Sequence, residues 1–105
     1  MKNIINETEV IAYGYLNAFG FKEEQIVPLI AQGKKDLEEN LIKLEILLHE
    51  ESASLDDINN VLHALKGLLF NLGNHELAEK LNEIRSHLES EVSLKEISQL
   101  LFDVK

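Results

Sequence analysis

The chain has 105 residues, of which 45% are hydrophobic and 28% charged, and these values predict one globular domain spanning residues 1–105. Its net charge of −9 argues against nucleic acid and anionic membranes as partners, because both carry negative charge. No cysteine is present, which excludes disulfides and cysteine-ligated zinc. The apolar runs are too short to span a bilayer. The start, "MKNIINETEV", does not resemble a signal peptide, so we expect a cytoplasmic protein.

Leucine and isoleucine recur at helical spacing along the chain, and this periodicity predicts five helices. The first is expected to be short, over residues 7–18, with Thr8 or Asn6 as its N-cap and Gly20 at its end. The second is expected from Lys22 or Glu24 to about Glu51. Pro28 should lie in its first turn or mark a break, since a proline further in would remove a helical hydrogen bond. The apolar stripe of this helix consists of Leu37, Leu41, Leu44 and Leu48.

Capping residues divide the second half of the chain. Ser54 is predicted to cap a third helix that ends near Leu72, with Gly73 as the stop signal. Asn74 is predicted to cap a fourth helix over residues 75–89. "SLKE" at residues 93–96 has the spacing of a capping box, in which Ser93 and Glu96 bond each other's backbone. The inward residues of the last two helices are expected to be Leu77, Leu81, Ile84, Leu88, Leu94, Ile97, Leu101 and Val104.

Short connections between the last four helices favour antiparallel neighbours. We therefore predict an all-α fold, namely an up-down antiparallel four-helix bundle with a short additional N-terminal helix packed across one end. We expect a monomer, with dimerisation through the fourth helix left open.

His63 is predicted to face away from the core. Successive residues of a helix are rotated by about 100°, which places the leucines of the third helix centred about 200° away from His63. The outward face then carries Asp56, Asn59, Asn60, His63, Lys66, Gly67 and Phe70. Lys66 and Gly67 each lie about one turn beyond the histidine, so a cation and a bare backbone flank the imidazole.

The stretch "HALKGLLFNLG" at residues 63–73 resembles the His-x-x-Lys-Gly signature of histidine phosphotransfer (HPt) domains, with its second glycine six residues after the first. Those domains are helical bundles in which the histidine lies in the middle of the second bundle helix, and the predicted helices match this order from about Phe19 to Leu88. The motif alone is moderately specific, while motif, exposed face, bundle and length together make a stronger case.

The resemblance implies that His63 Nε2 accepts a phosphoryl group from a receiver-domain aspartate, or from a histidine kinase, and passes it to another receiver. Lys66 would neutralise phosphoryl charge, and Gly67 would admit the receiver, with Asn59, Asn60 and Phe70 around the docking surface. Magnesium would belong to the receiver, so neither a metal site nor a cofactor is expected in this chain. No nucleotide-binding loop is present, and we expect no autokinase activity.

Three positions depart from the family pattern, and one of them is Leu68 after the glycine, which is often small in the family but lies here on the edge of the core. A glutamine or glutamate on the next helix often bonds the other ring nitrogen of the histidine, but the matching residue here is Arg85, which has no acceptor. Asn82, one turn earlier, is an alternative partner for the ring, and otherwise Nδ1 faces water. Phe70 replaces a residue that is usually small in the family, which would narrow the choice of receiver.

Other functional readings compete with the phosphocarrier. The remaining histidines, His49, His75 and His87, lack metal-ligand spacing, and the many carboxylates fit a solvated acidic face better than a catalytic pair. Tyr13 and Tyr15 are interpreted as packing residues. The main alternative is a non-catalytic helical adaptor of the same fold, which would bind a receiver or kinase domain through the His63 face.

Overall fold

The computed structural model of the chain describes residues 2–50, 54–88 and 91–102, and the side chains of residues 4–50, 54–88 and 93–102. Every regular element within these ranges is a helix, which confirms the all-α prediction. None of these helices is long and apolar enough to cross a membrane. In chain order the helices are α1 (Lys2–Ala18), α2 (Glu23–His49), α3 (Leu55–Asn71), α4 (His75–Ser86) and α5 (Glu91–Phe102).

The chemistry predicted for the ends of the middle helices is confirmed. Ser54 Oγ accepts a hydrogen bond from the Asp57 N–H at 3.1 Å, and Asn74 Oδ1 accepts one from the Leu77 N–H at 3.4 Å. Gly20 and Gly73 stop α1 and α3 with φ angles of 91° and 87°. This left-handed conformation is easy for glycine, and the N–H of the glycine and that of the following residue donate back to carbonyls of the last turn of the helix.

α1 is longer than predicted. It begins at Lys2 and has the same length as α3, so Asn6 and Thr8 lie inside the helix and neither is its N-cap. Thr8 is instead 1% exposed, and its hydroxyl accepts a hydrogen bond of 3.0 Å from Asn74 Nδ2. This bond ties α1 to the residue that caps α4.

α2 continues through its proline. Pro28 is the sixth residue of the helix, so the prediction that it lies in the first turn or marks a break is wrong. Its missing N–H would have bonded the carbonyl of Glu24, an exposed residue of the first turn. Gly33 allows close packing, since a Cβ atom there would lie 2.8 Å from Leu72 Cδ2.

The connection between α4 and α5 also differs from the prediction. α4 ends at Ser86 rather than at residue 89, and α5 begins at Glu91, so Ser93 lies inside the helix and the capping box is wrong. The Ser93 hydroxyl donates to the backbone carbonyl of His87 at 3.1 Å. This contact joins α5 to the residue that follows α4.

Each helix contacts the next helix along the chain, and two apolar clusters form the core. The larger cluster takes residues from all five helices, and the smaller one joins α1, the start of α2 and Leu72. The predicted inward residues that are buried are Leu37, Leu41, Leu44, Leu81, Ile84, Ile97 and Leu101, while Leu48, Leu77, Leu88 and Leu94 are half-buried against the larger cluster. Val104 lies outside the described residues.

Candidate functional site

His63 lies in the middle of α3 and is exposed, as the helical periodicity predicts. The opposite face of the helix is buried through Leu62, Leu65 and Leu69. Across the described ranges the imidazole forms no hydrogen bond, ion pair or ring contact. Because an accessible neutral imidazole is a nucleophile, His63 can attack an electrophile brought by another molecule.

Lys66 is the nearest predicted partner of the histidine along the helix. It lies three residues after His63, a spacing that brings two Cβ atoms to about 5–6 Å, and its side chain is half-buried. It forms no ion pair with a carboxylate in the part of the chain that the structure describes. The ammonium is therefore available to a negatively charged group on or beside the ring.

Gly67 is exposed one turn beyond His63, and the protein itself does not require a glycine there. Among the described residues, a Cβ atom at Gly67 would have no neighbour within 4 Å outside the backbone of its own helix. Its φ is not in the left-handed region. Gly73, in contrast, combines a left-handed φ with close packing on Tyr15. Only Gly14, on α1, shares with Gly67 a helical position and open space.

Asn59 and Asn60 precede His63 by about one turn and extend the polar part of its face. Asn59 is half-buried against α4, whereas Asn60 is exposed. Asn60 also lines a groove of ≈ 380 Å³ between α2 and α3, together with Ile46 and Val61. The polar face around His63 therefore borders this groove at Asn60.

Arg85 and Asn82 do not hold the imidazole. Arg85 Nε donates to Asn59 Oδ1 at 3.0 Å, and Arg85 Nη1 donates to Asn82 Oδ1 at 3.5 Å. Neither residue bonds to His63, so no described side chain fixes the tautomer of its ring. The arginine instead links α4 to the residue that precedes the histidine by one turn of α3.

Phe70 has a structural contact that the sequence analysis missed. It is 48% exposed, and its ring stacks on His75 with centroids 4.4 Å apart and planes tilted by 30°. Tyr15 approaches the same imidazole edge-on at 5.4 Å. Gly73 is the feature of the sequence that could have predicted this contact, because it reverses the chain and brings the end of α3 beside the start of α4.

Of the remaining histidines, His75 contacts the His63 face through Phe70, whereas His49 and His87 have contacts of their own. His49 Nδ1 is 2.8 Å from the carbonyl of Glu45, and His87 Nε2 is 3.5 Å from a carboxylate oxygen of Glu96. Tyr15 is a packing residue, as predicted, but Tyr13 is exposed. The carboxylate of Glu23 raises the pKa of the Tyr13 phenol above its usual value. Among the described residues, no three histidines or carboxylates form a group that could hold a metal.

Comparison of the chain with protein-family models, with curated proteins and with solved structures finds no match. The function is therefore inferred from the residues and geometry of the His63 face. The features that matter are an exposed imidazole, an unpaired ammonium one turn away, and a glycine that leaves the helix surface open beside both.

Proposed function

We propose that this chain is a histidine phosphotransfer protein of a two-component phosphorelay. In this proposal α2 to α5 form an up-down antiparallel four-helix bundle with α1 as the additional N-terminal helix, and the protein works as a monomer in the cytoplasm. It carries a phosphoryl group on His63 between receiver-domain aspartates, or from a hybrid histidine kinase to a receiver.

The reaction transfers a phosphoryl group from an aspartyl phosphate to the imidazole. The lone pair of His63 Nε2 forms the new nitrogen–phosphorus bond, the acyl oxygen–phosphorus bond breaks, and the aspartate carboxylate leaves with the electron pair. The Nδ1 proton is then lost to solvent. The negative charge of the phosphoryl group needs a nearby cation, and in this proposal Lys66 supplies it.

Gly67 is the observation that carries this proposal. Glycine costs about 1 kcal/mol relative to alanine inside a helix, and neither backbone conformation nor packing requires it at this position. We therefore attribute the glycine to a contact with another molecule. A receiver domain must bring its aspartyl phosphate into line with the ring, and a side chain at residue 67 would hold the two apart.

The adaptor is the second candidate, and one observation favours it. Because Arg85 bonds to Asn59 and Asn82, no described residue orients the His63 ring for attack. An adaptor would bind the same receiver or kinase without needing an oriented imidazole. The two functions differ in one measurable respect, since only the carrier becomes covalently labelled.

The test is to mix the chain with receiver domains that carry labelled aspartyl phosphate. We expect an acid-labile, base-stable label on the wild type and no label on His63→Gln. His49→Gln is the matched control, because it removes another exposed histidine outside α3, and it should be labelled normally. If every receiver of the same organism fails to label the wild type, the chain is not a carrier.

A further inference from the structure

Arg85 is the only arginine of the chain, and its surroundings are unusual for a cation in an acidic protein. Acidic residues outnumber basic ones by 19 to 10, yet no carboxylate in the described ranges lies within ion-pair distance of Arg85. Its two hydrogen-bond partners are the neutral amides of Asn59 and Asn82. Arg85 is half-buried as a residue, and no described carboxylate neutralises its positive charge.

The Asn59 contact places this charge beside the His63 face. Asn59 precedes His63 by four residues, so their Cβ atoms are about 5–6 Å apart on one side of α3. Arg85 Nε lies 3.0 Å from Asn59 Oδ1. Arg85 is therefore bonded to a residue one turn before His63, and Lys66 follows His63 by about one turn. Neither cation is paired with a described carboxylate.

We propose that Arg85 is a second phosphoryl-binding cation, which leaves Asn59 and donates to the phosphoryl oxygens once His63 is phosphorylated. This inference rests on the proposed role of His63 as the phosphoryl acceptor. Arg85, which stands where the HPt pattern has a glutamine or glutamate, then binds the phosphoryl group itself.

The exchange of partners is favourable for electrostatic reasons. A guanidinium has five N–H donors, and the two amides use only two of them. Hydrogen bonds between arginine and phosphate are charge-assisted and often bidentate, so they are stronger than hydrogen bonds to a neutral amide. The amides hold the side chain at the site before phosphorylation, which limits the conformational entropy lost when the phosphoryl group arrives.

The experiment loads His63 chemically, without a receiver. Phosphoramidate donates its phosphoryl group to the imidazole nitrogen, the phosphorus–nitrogen bond of the reagent breaks, and ammonia leaves with the ring proton. The titration of the phosphoryl group is then followed by ³¹P NMR. A cation about 4 Å away stabilises the dianion, so Arg85→Gln should raise the titration midpoint by about half a pH unit or more.

Three variants separate phosphoryl binding from a structural role. Asn59→Ala breaks the same interhelical bond as Arg85→Gln but keeps the cation, so it should retain the wild-type midpoint. Arg85→Lys should lie between wild type and Arg85→Gln. Lys80→Gln is the matched control, since it changes the net charge equally on an exposed position of α4 and should leave the midpoint unchanged.

Two results would overturn the inference. One is an equal midpoint for wild type and Arg85→Gln, together with an Arg85 Nε–H resonance that does not move on loading. The other is a failure of phosphoramidate to load His63, because it would contradict the accessible ring. If phosphoramidate loads the chain but no receiver does, the proposed relay fails while the titration still decides the role of Arg85.

Discussion

The ring of Phe70 stacks on the ring of His75, with centroids 4.4 Å apart, and this contact joins the end of α3 to the start of α4. Tyr15 packs edge-on against the same imidazole and connects α1 to the pair. The aromatic residue that would otherwise look like an exposed docking group is therefore part of a three-helix contact. Its outer half is still open to a partner near Gly67.

Removing Phe70 should lower stability. We expect Phe70→Ala to reduce the free energy of unfolding by about 1–2 kcal/mol, roughly half the cost of truncating a fully buried phenylalanine. Urea denaturation measures the change. Phe19→Ala is the matched control, because Phe19 packs edge-on against Tyr15 but is 66% exposed, and its loss should cost less. Equal losses for the two variants would mean that the stacking on His75 contributes nothing.

Gly67 should be replaceable for folding but not for transfer. Gly67→Ala is expected to raise the free energy of unfolding by about 0.5–1 kcal/mol, since alanine favours the helix and its Cβ meets no neighbour. Gly14→Ala should raise it by a similar amount. Gly67→Gln should slow phosphotransfer by about 100-fold, because it displaces the receiver from the ring.

Two measurements on the same proteins test the Gly67 prediction. Stopped-flow kinetics gives the rate of phosphotransfer, and urea denaturation gives the free energy of unfolding. Gly14→Gln serves as the control, because it adds the same side chain to an exposed position on α1. A Gly67→Gln protein that transfers at the wild-type rate would rule out close docking at this position.

Lys66 should act on transfer rather than on stability. Lys66→Ala is expected to slow phosphoryl transfer by about tenfold to a hundredfold, because the charge developing on the phosphoryl oxygens loses its nearest cation on α3. Its melting transition should stay close to that of the wild type, since Lys66 forms no described ion pair. Lys35→Ala, which removes an exposed lysine of α2 away from the groove, is the control. Matching transfer rates for the two variants would leave Lys66 as a solvated surface residue.

The buried bond between Thr8 and Asn74 should contribute to the docking of α1. Thr8→Val keeps the shape of the side chain but leaves the Asn74 amide without its acceptor in the core. We expect a loss of about 1–3 kcal/mol in the free energy of unfolding, measured in urea. Thr8→Ser retains the hydroxyl and should recover part of the loss. A valine variant as stable as the wild type would show that the bond is replaced by solvent.

The sequence predicts the parts of the fold that depend on local chemistry. Ser54, Gly73 and Asn74 set helix ends through bonds within a few residues, and these ends are confirmed. The start of α1 was missed because no capping residue marks Lys2. Ser93 was misassigned because its hydroxyl bonds to the carbonyl of His87, a contact that depends on how two helices pack.

The candidate site also combines features set within one helix with contacts between helices. The outward placement of His63 can be predicted from helical periodicity alone. The position of Gly67 beside it can be predicted in the same way, because both residues lie on one helix. The Arg85–Asn59 and Phe70–His75 contacts join two helices whose relative rotation is decided by core packing. Sequence spacing could pair Arg85 with His63, but only the packed helices show that the arginine bonds to Asn59 instead.

The central claim is that His63 relays a phosphoryl group, and transfer from the loaded chain tests it most directly. The chain is labelled, separated from the donor and mixed with a fresh, unphosphorylated receiver domain and magnesium. We predict that the label leaves His63 and appears on the receiver aspartate, while a receiver lacking that aspartate leaves it in place. A label that disappears only into water, with every receiver tried, would contradict the relay.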